Sequence, residues 1–226
     1  MTSIFRRALG DDFDRLHPEI QRRFGFSSAD GVASIGHGVM EELWRGPAFT
    51  LPFLVLGTWR RIMFPERGHD VPFRIENYAY VDRFGRETVT WARTFELPRR
   101  MRMFDATMIW SERRGCIVDY LGTHQHLAVD LHASVDEEGG IRFRSGEQRF
   151  YERRIAFRFP LLFSGIAEVR EWYDDAERRF RISVEVGNER FGRLFGYRGW
   201  FQAEERPCAP HEVPARVKPV REERRE

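Results

Sequence analysis

Apolar and polar residues alternate along most of the chain after Pro65, and turn-forming residues interrupt the alternation at short intervals. A period of two is typical of strands with one buried face, and clusters of Gly, Asp and Pro between them are typical of hairpin turns. The pattern predicts strands over Ala33–Trp44, Val71–Val81, Glu87–Leu97, Arg100–Trp110, one or two within Gly115–Val135, Ile141–Tyr151, Ile155–Phe163, Ile166–Tyr173, Phe180–Val186 and Leu194–Glu204.

These segments predict a mainly β fold of about ten antiparallel strands, closed or nearly closed into a barrel. Closure removes the exposed sheet edges that promote aggregation. With helices before and after its first strand, the architecture is similar to that of lipocalin-like and fatty-acid-binding-protein-like barrels, capped here by N-terminal helices. We expect residues 1–205 to form this single domain and the proline-rich, charged residues 206–226 to form a disordered tail.

The stretch Gly115–Val135 differs from the others because its apolar positions change phase. Cys116, Val118 and Tyr120 are apolar at even positions, whereas the apolar residues after the change are at odd positions. A regular strand cannot make this change, because a slip of one residue exchanges its two faces. The pattern therefore predicts a β-bulge or tight corner between Leu121 and His126, with Gly122 as its natural position.

Helical spacing occurs at the N-terminus and after the first strand. The apolar positions of the first region are Ile4, Phe5, Leu9, Phe13, Leu16, Ile20 and Phe24. They predict short helices that pack against the sheet as a lid or plug. The segment Phe49–Met63 predicts a buried helix that is broken or kinked around Pro52 and Gly57. A helix lying on a membrane surface would need a more continuous basic face than Arg60 and Arg61 provide.

Charge and composition exclude several classes of protein. The net charge is +2, from 37 basic and 35 acidic residues, and no segregation of charge is visible along the sequence. We therefore expect no binding to nucleic acid. The longest apolar run is too short to span a bilayer, and two cysteines make neither a disulfide framework nor a metal cluster. The sequence predicts a soluble, cytoplasmic protein.

Charged residues share the apolar face of several predicted strands. Arg93 is in phase with Val89, Trp91 and Phe95, and a buried guanidinium needs a carboxylate or an anionic ligand. Asp105 on the next strand is the expected partner.

Glu147 and Arg149 are likewise in phase with Ile141, Phe143 and Tyr151. Together with Arg93 and Asp105 they would place two carboxylates and two guanidiniums in one interior. That set is either a pair of structural ion pairs or a clamp for an anionic ligand in an apolar cavity.

His124 and His126 have the spacing that places two imidazoles on one side of a strand. They could share a metal ion, but they also alternate with apolar residues as an outer face would. His124 could instead act as a general acid or base, because histidine changes charge near neutral pH. We expect no bound metal.

Aromatic residues could line a pocket for a flat or lipidic ligand, although they could equally form the core. The candidates are Trp91, Tyr120, Trp172 and Tyr197. The sequence contains no G-x-G-x-x-G, Walker, G-x-S-x-G or H-E-x-x-H motif. The sequence therefore does not predict a self-contained dehydrogenase, a kinase, a typical serine hydrolase or a zinc protease, and no cofactor is predicted.

Several segments of the chain resemble a bacterial domain of unknown function, the family numbered 4166. They are LGDDFDRLHPEIQRRF, FRIENYAYVDRFGRETVTWARTF, FDATMIW followed by IVDYLGTHQHLAVDL, RFRSGEQRFY, FPLLFSGIAEVREWYDD and FGYRGWF, and they cover most of residues 3–204. The resemblance implies a possible NAD(P)-dependent reductase-like partner. It supplies no catalytic residues.

Three hypotheses of function follow. In the first, the barrel binds an apolar or aromatic small molecule that carries a carboxylate or another polar group, using Trp91, Arg93, Tyr120, His126, Glu147, Arg149 and Tyr197. In the second, the same cavity acts as a cofactor-independent cyclase or isomerase, with Asp105 or His124 as the general acid or base. In the third, the protein is an interaction module that docks on a reductase.

Overall fold

A computed structural model describes residues 1–158 and 165–226. Its α-helices are α1 (Ile4–Leu9), α2 (Pro18–Gly25) and α3 (Leu51–Trp59), with short 3-10 helices at Gly10–Arg15, Ala48–Thr50 and Ala215–Val217. Its strands are β1 (Val32–Arg45), β2 (Gly68–Val81), β3 (Glu87–Leu97), β4 (Arg100–Ser111), β5 (Cys116–Leu121), β6 (Leu127–Val135), β7 (Ile141–Glu152), β8 (Ile155–Arg158), β9 (Ile166–Asp174), β10 (Arg179–Asn188) and β11 (Gly192–Pro207).

The strands form one antiparallel sheet in the order β6-β5-β4-β3-β2-β1-β11-β10-β9-β7-β8. A further pairing between β6 and β7 closes the sheet into a barrel of ten strands, and β8 is an extra strand on the far end of β7. The predicted mainly β barrel is therefore confirmed. The last residues of the predicted strand Ile155–Phe163, residues 159–163, lie outside the described part of the chain.

The N-terminal helices fill one end of the barrel, because their apolar residues point into its interior. Phe5 of α1 packs against Phe24 of α2, with ring centroids 4.9 Å apart, and both rings contact Trp91 and Phe143 of the wall. The wall makes room for this core at glycine positions of β1. A Cβ atom at Gly36 would lie 2.7 Å from Cδ2 of Phe201 and 2.8 Å from Cγ2 of Ile75, both of which belong to the core.

Helix α3 lies at the opposite end of the barrel, and the prediction that it is buried is wrong. Of its residues only Leu54 is buried, whereas Phe53, Leu56 and Trp59 are exposed. Its apolar composition therefore does not serve the core. Phe64, in the segment between α3 and β2, completes the core at this end, where its ring contacts Phe95 and Phe195.

Residues 122–126 form the predicted corner, as the turn of a hairpin between β5 and β6. Gly122 has φ of 76° in this corner. The reason given for the corner is wrong, however, because no residue is absorbed there. Leu121 pairs with Leu127 and Asp119 with Val129, so odd positions face the interior on both strands.

The apolar phase changes because both faces of β5 are buried. Its even positions, with Val118 and Tyr120, belong to a cluster on the outside of the barrel. The C-terminal segment covers this outer cluster: the Tyr120 hydroxyl donates to the Arg225 carbonyl oxygen over 2.8 Å. Although residues 206–226 have the composition of a disordered tail, they pack along the outer wall, where Val213 and Val217 are buried beside Tyr78 and Tyr80.

Candidate functional site

Arg93 and Tyr197 form the centre of a polar cluster inside the barrel. Both side chains are buried, because their strands β3 and β11 direct them inward among aromatic rings. Arg93 donates from Nη1 to the Tyr197 hydroxyl over 3.0 Å and from Nε to the Phe104 carbonyl oxygen over 3.1 Å. Its guanidinium lies 3.8 Å from the centroid of the Phe104 ring. Burial raises the pKa of Tyr197, against the opposing effect of Arg93, so the hydroxyl stays protonated.

Asp119 of β5 faces the same interior from another part of the wall. Burial raises the pKa of its carboxyl to about 7, and the charge of Arg93 opposes that rise. A carboxyl that titrates near neutral pH can accept or release a proton under physiological conditions. Asp119 is therefore the interior group best suited to acid/base chemistry.

A buried ion pair lies toward the end of the barrel that α2 closes. Arg23 of α2 donates from Nε to Oε1 of Glu171 on β9 and from Nη1 to the Ser34 hydroxyl over 2.9 Å. Burial raises the pKa of Glu171, whereas the charge and hydrogen bond of Arg23 lower it. Among residues 1–158 and 165–226, the groups described above place two guanidiniums and two carboxyl groups in the interior.

Several polar atoms of this interior have no hydrogen-bond partner among the described residues. They are Asp119 Oδ1, Asn77 Oδ1, Glu171 Oε2 and Arg23 Nη2. Leaving a buried polar atom without a partner costs about 1–3 kcal/mol, and natural proteins rarely do so without a functional reason or a bound molecule.

The structure brings together three of the residues predicted from the sequence, Trp91, Arg93 and Tyr197. The predicted pair of Arg93 with Asp105 is wrong. In the pairing of β3 with β4, Arg93 lies opposite Phe104 while Asp105 lies opposite Ala92, so the two side chains point to different faces. Asp105 instead accepts from Nη1 of Arg61 over 3.0 Å, and burial raises its pKa while Arg61 lowers it.

Glu147 and Arg149 were expected in the interior, and that placement is also wrong. The register between β6 and β7 shifts between Val129 and Leu131, which exchanges the two faces of β7 beyond this point. Both side chains therefore lie on the outer wall. There Arg149 donates to Oδ1 of Asp130 over 2.7 Å, and Arg114 bridges Asp130 and Glu147.

The corner of residues 122–126 holds both histidines outside the barrel interior. His124 and His126 stack with ring centroids 5.3 Å apart. The guanidinium of Arg60 lies 3.1 Å from Nε2 of His124, and Thr123 Oγ1 lies 2.8 Å from its Nδ1. Burial and the Arg60 charge lower the pKa of His124. His126 pairs through Nδ1 with Glu152 at 2.9 Å.

Tyr120 does not line the interior as its aromatic character suggested. It faces outward beneath the C-terminal segment, and burial raises its pKa to about 12. Within residues 1–158 and 165–226, no group of three His, Cys, Asp or Glu side chains has the arrangement of a metal site.

Sequence reasoning missed Asp119, Glu171 and Arg23. The first two had a detectable signal: Asp119 is in phase with Ile117 and Leu121, and Glu171 lies between Val169 and Tyr173 on one face of β9. Arg23 gave a weaker one, since it follows Ile20 by three residues on α2.

The outer wall also has a concave face over β7, β9, β10 and β11, and the volume of this concavity is about 580 Å³. Its lining includes Arg142, Arg144, Arg170, Arg181 and Arg198. Each of these arginines forms an ion pair with a neighbouring acidic residue. The face therefore offers no uncompensated positive charge to an anion.

The fold and its interior define this protein as a closed antiparallel β-barrel whose interior contains buried ionisable side chains. The chain belongs to the family described as "Domain of unknown function (DUF4166)", whose model matches residues 16–201. It is 32% identical over 206 residues to "Uncharacterized protein YndH" of Bacillus subtilis (strain 168). That alignment covers 91% of this chain and 99% of the relative.

Proposed function

We propose that the barrel binds a small, largely apolar molecule whose polar group reaches Arg93, Tyr197 and Asp119. The observation that carries this proposal is the set of four interior polar atoms without partners among the described residues. Aromatic walls with a few convergent polar groups are typical of small-molecule sites. Arg93 would hold a carboxylate or carbonyl oxygen of the ligand, while Trp91 and Phe104 would pack against its apolar part.

Native mass spectrometry of the full chain, purified without denaturation, tests this function. We expect a bound small molecule that is lost in Arg93→Met and retained in Arg149→Met, because Arg149 lies on the outer wall. Retention of the same molecule in Arg93→Met would place the ligand elsewhere. A high-resolution structure with only ordered waters at the four interior atoms would overturn the proposal.

The pKa of Asp119, raised to about 7 by burial, favours a second function in the same interior. In an isomerase or cyclase without a cofactor, Asp119 would move the proton, and Arg93 with Tyr197 would stabilise developing negative charge. This assignment replaces the acid/base roles that the sequence suggested for Asp105 and His124, which lie outside the interior.

Comparison of the small molecules extracted from the wild type and from Asp119→Asn tests catalysis. An isomerase predicts two compounds of equal mass but different chromatographic retention, one enriched in each protein. The same single compound in both proteins would leave binding as the function and remove Asp119 as a catalytic residue. His124→Ala is the control, and its extract should match that of the wild type.

A further inference from the structure

Helix α3 presents large apolar side chains to solvent at the end of the barrel opposite α1 and α2. Its sequence, LPFLVLGTW, is apolar on all sides, yet only Leu54 packs into the core. Phe53 is 71% exposed, Leu56 62% and Trp59 79%. A helix this apolar is normally buried, and large exposed apolar patches mark interaction surfaces.

Other exposed apolar residues lie at the same end, because they belong to strands or turns that reach it. They are Phe49, Met101, Ile155, Phe157 and Phe191. We call this set, with Phe53, Leu56 and Trp59, the apolar rim. Phe49 and Phe191 contact each other with centroids 5.3 Å apart, which joins the 3-10 helix just before α3 to the turn between β10 and β11.

The barrel holds the rim in place through backbone hydrogen bonds just after α3. Thr123 N donates to the Arg60 carbonyl oxygen over 3.0 Å, and Asp105 N donates to that of Arg61 over 2.8 Å. A row of stacked rings continues from His124 through His126 and Phe150 to Phe157. The exposed side chains therefore project from a supported surface.

Positive charge surrounds this rim, although the whole chain is almost neutral. The segments that connect strands at this end, together with β8, are residues 46–67, 98–99, 122–126, 153–158 and 189–191. They contain eight arginines and two acidic residues. Three of these arginines, Arg61, Arg153 and Arg158, pair with carboxylates of the neighbouring strands, and the other five do not. The segments at the other end, residues 1–31, 82–86, 112–115, 136–140 and 175–178, contain ten arginines and twelve acidic residues. Folding thus segregates charge that appears mixed along the sequence.

We propose that the apolar rim docks on the surface of an anionic phospholipid bilayer. Phe53, Leu56 and Trp59 would enter the boundary between headgroups and acyl chains, and the surrounding arginines would contact the phosphates. Helix α3 has nine residues and a length of about 14 Å, less than half of the roughly 30 Å hydrocarbon core. Within the described part of the chain, no helix is long and apolar enough to cross a membrane.

A bilayer fits this surface better than a second copy of the chain or a reductase partner. Two copies that met through the rim would bring eight arginines against eight others, with few acidic residues between them. An anionic bilayer satisfies both the apolar surface and the charge of the rim arginines that form no ion pair with a described residue, which are Arg60, Arg67, Arg99, Arg154 and Arg190. The docking proposal is independent of whether the interior binds a ligand.

Flotation of the full chain with vesicles tests this docking. We expect binding to vesicles of equal parts phosphatidylcholine and phosphatidylglycerol, and weak binding to phosphatidylcholine alone or at high salt. In the double variant Phe53→Gln, Trp59→Gln, the partition coefficient onto vesicles should fall at least about tenfold, because two aromatic side chains that would be buried in the bilayer are replaced by polar ones. Phe84→Gln is the matched control, since this exposed aromatic lies in a turn at the opposite end.

Charge reversal tests the arginines separately. Arg99→Glu with Arg154→Glu should reduce binding to the anionic vesicles, whereas Arg15→Glu with Arg224→Glu, away from the rim, should not. Equal losses in both pairs would show attraction by net charge alone and would overturn the proposed orientation.

Trp59 provides a direct readout of insertion. Brominated lipids should quench part of the tryptophan emission in the wild type, and this quenching should disappear in Trp59→Phe. Absence of vesicle binding by the wild type overturns the proposal. A stable dimer in solution that is broken by Phe53→Gln would also overturn it, in favour of a second copy.

Discussion

The Tyr197 hydroxyl accepts a hydrogen bond from Arg93 across the barrel interior, over 3.0 Å between Nη1 and the phenolic oxygen. This contact joins β3 to β11, which are separated in the wall by β2 and β1. A guanidinium loses much of its hydration when it is buried. Each hydrogen-bond acceptor of Arg93 therefore has a large effect on the stability of the folded protein.

Tyr197→Phe should therefore destabilise the protein by about 1.5–3 kcal/mol, because it leaves a buried charged donor without its acceptor. Urea denaturation measures the change. Tyr80→Phe is the control, since the Tyr80 hydroxyl is buried with no hydrogen-bond partner among the described residues, and its removal should be nearly neutral. Equal losses in the two variants would contradict the role of the Arg93 contact.

Asp119 should make stability depend on pH. Its folded pKa of about 7 exceeds the ordinary value of 3.8, so between these values the folded state keeps a proton that the unfolded state has released. The free energy of unfolding should fall as pH rises from about 4 to about 7, by at most about 4 kcal/mol from this group.

Denaturation of the wild type and Asp119→Asn at about pH 5 and about pH 8 isolates this contribution. The variant should gain stability relative to the wild type at the higher pH. A difference between the two proteins that does not change with pH would show that Asp119 titrates normally.

The C-terminal segment should be protected from proteases despite its many basic residues. Val217→Asp places a charge beneath this segment, where Val217 is buried beside Tyr80, and should release it from the wall. We expect trypsin to cleave after Arg221 and Arg224 of this segment much faster in this variant. Val220→Asp, at a position 77% exposed, should leave the cleavage rate close to that of the wild type.

Gly122 should tolerate alanine poorly. Its φ is 76°, and an added Cβ atom would lie 2.2 Å from the Arg60 carbonyl oxygen. Gly122→Ala should cost more than about 2 kcal/mol because the corner must move. Gly85 has φ of 79° with no atom within 4 Å of an added Cβ, so Gly85→Ala should show only the backbone cost of about 1 kcal/mol. Thermal denaturation of both variants compares the two effects.

Alternation identified the strands and the barrel, because nearly every strand buries its inner face. It could not identify the inner face of β5, whose outer residues Val118 and Tyr120 are covered by a segment about 100 residues away. It failed for the same kind of reason at Glu147 and Arg149, where a register shift between β6 and β7 exchanges the faces. Single-strand patterns do not reveal contacts with distant segments or bulges in the pairing.

The candidate site was predictable only in part. Arg93 was recognised because a charge among apolar positions of one parity is conspicuous. Its neighbours are set by pairing register, which placed Phe104 opposite Arg93 and turned Asp105 outward. The exposure of α3 was not predictable from its composition. An apolar helix that packs on a core and one that projects from a rim have similar compositions, so composition does not distinguish them.

The order of strands also determines when the barrel can close during folding. β1 lies between β2 and β11, so one flank of a strand that begins at Val32 has no partner until the chain has formed β11 at Gly192–Pro207. The apolar residues of α1 and α2 have no enclosed interior before that step. Such distant pairings slow folding and prolong the exposure of apolar surface. During synthesis, α1 and α2 are made first. The helices that complete the core therefore remain unpacked until the strands that enclose them have been made.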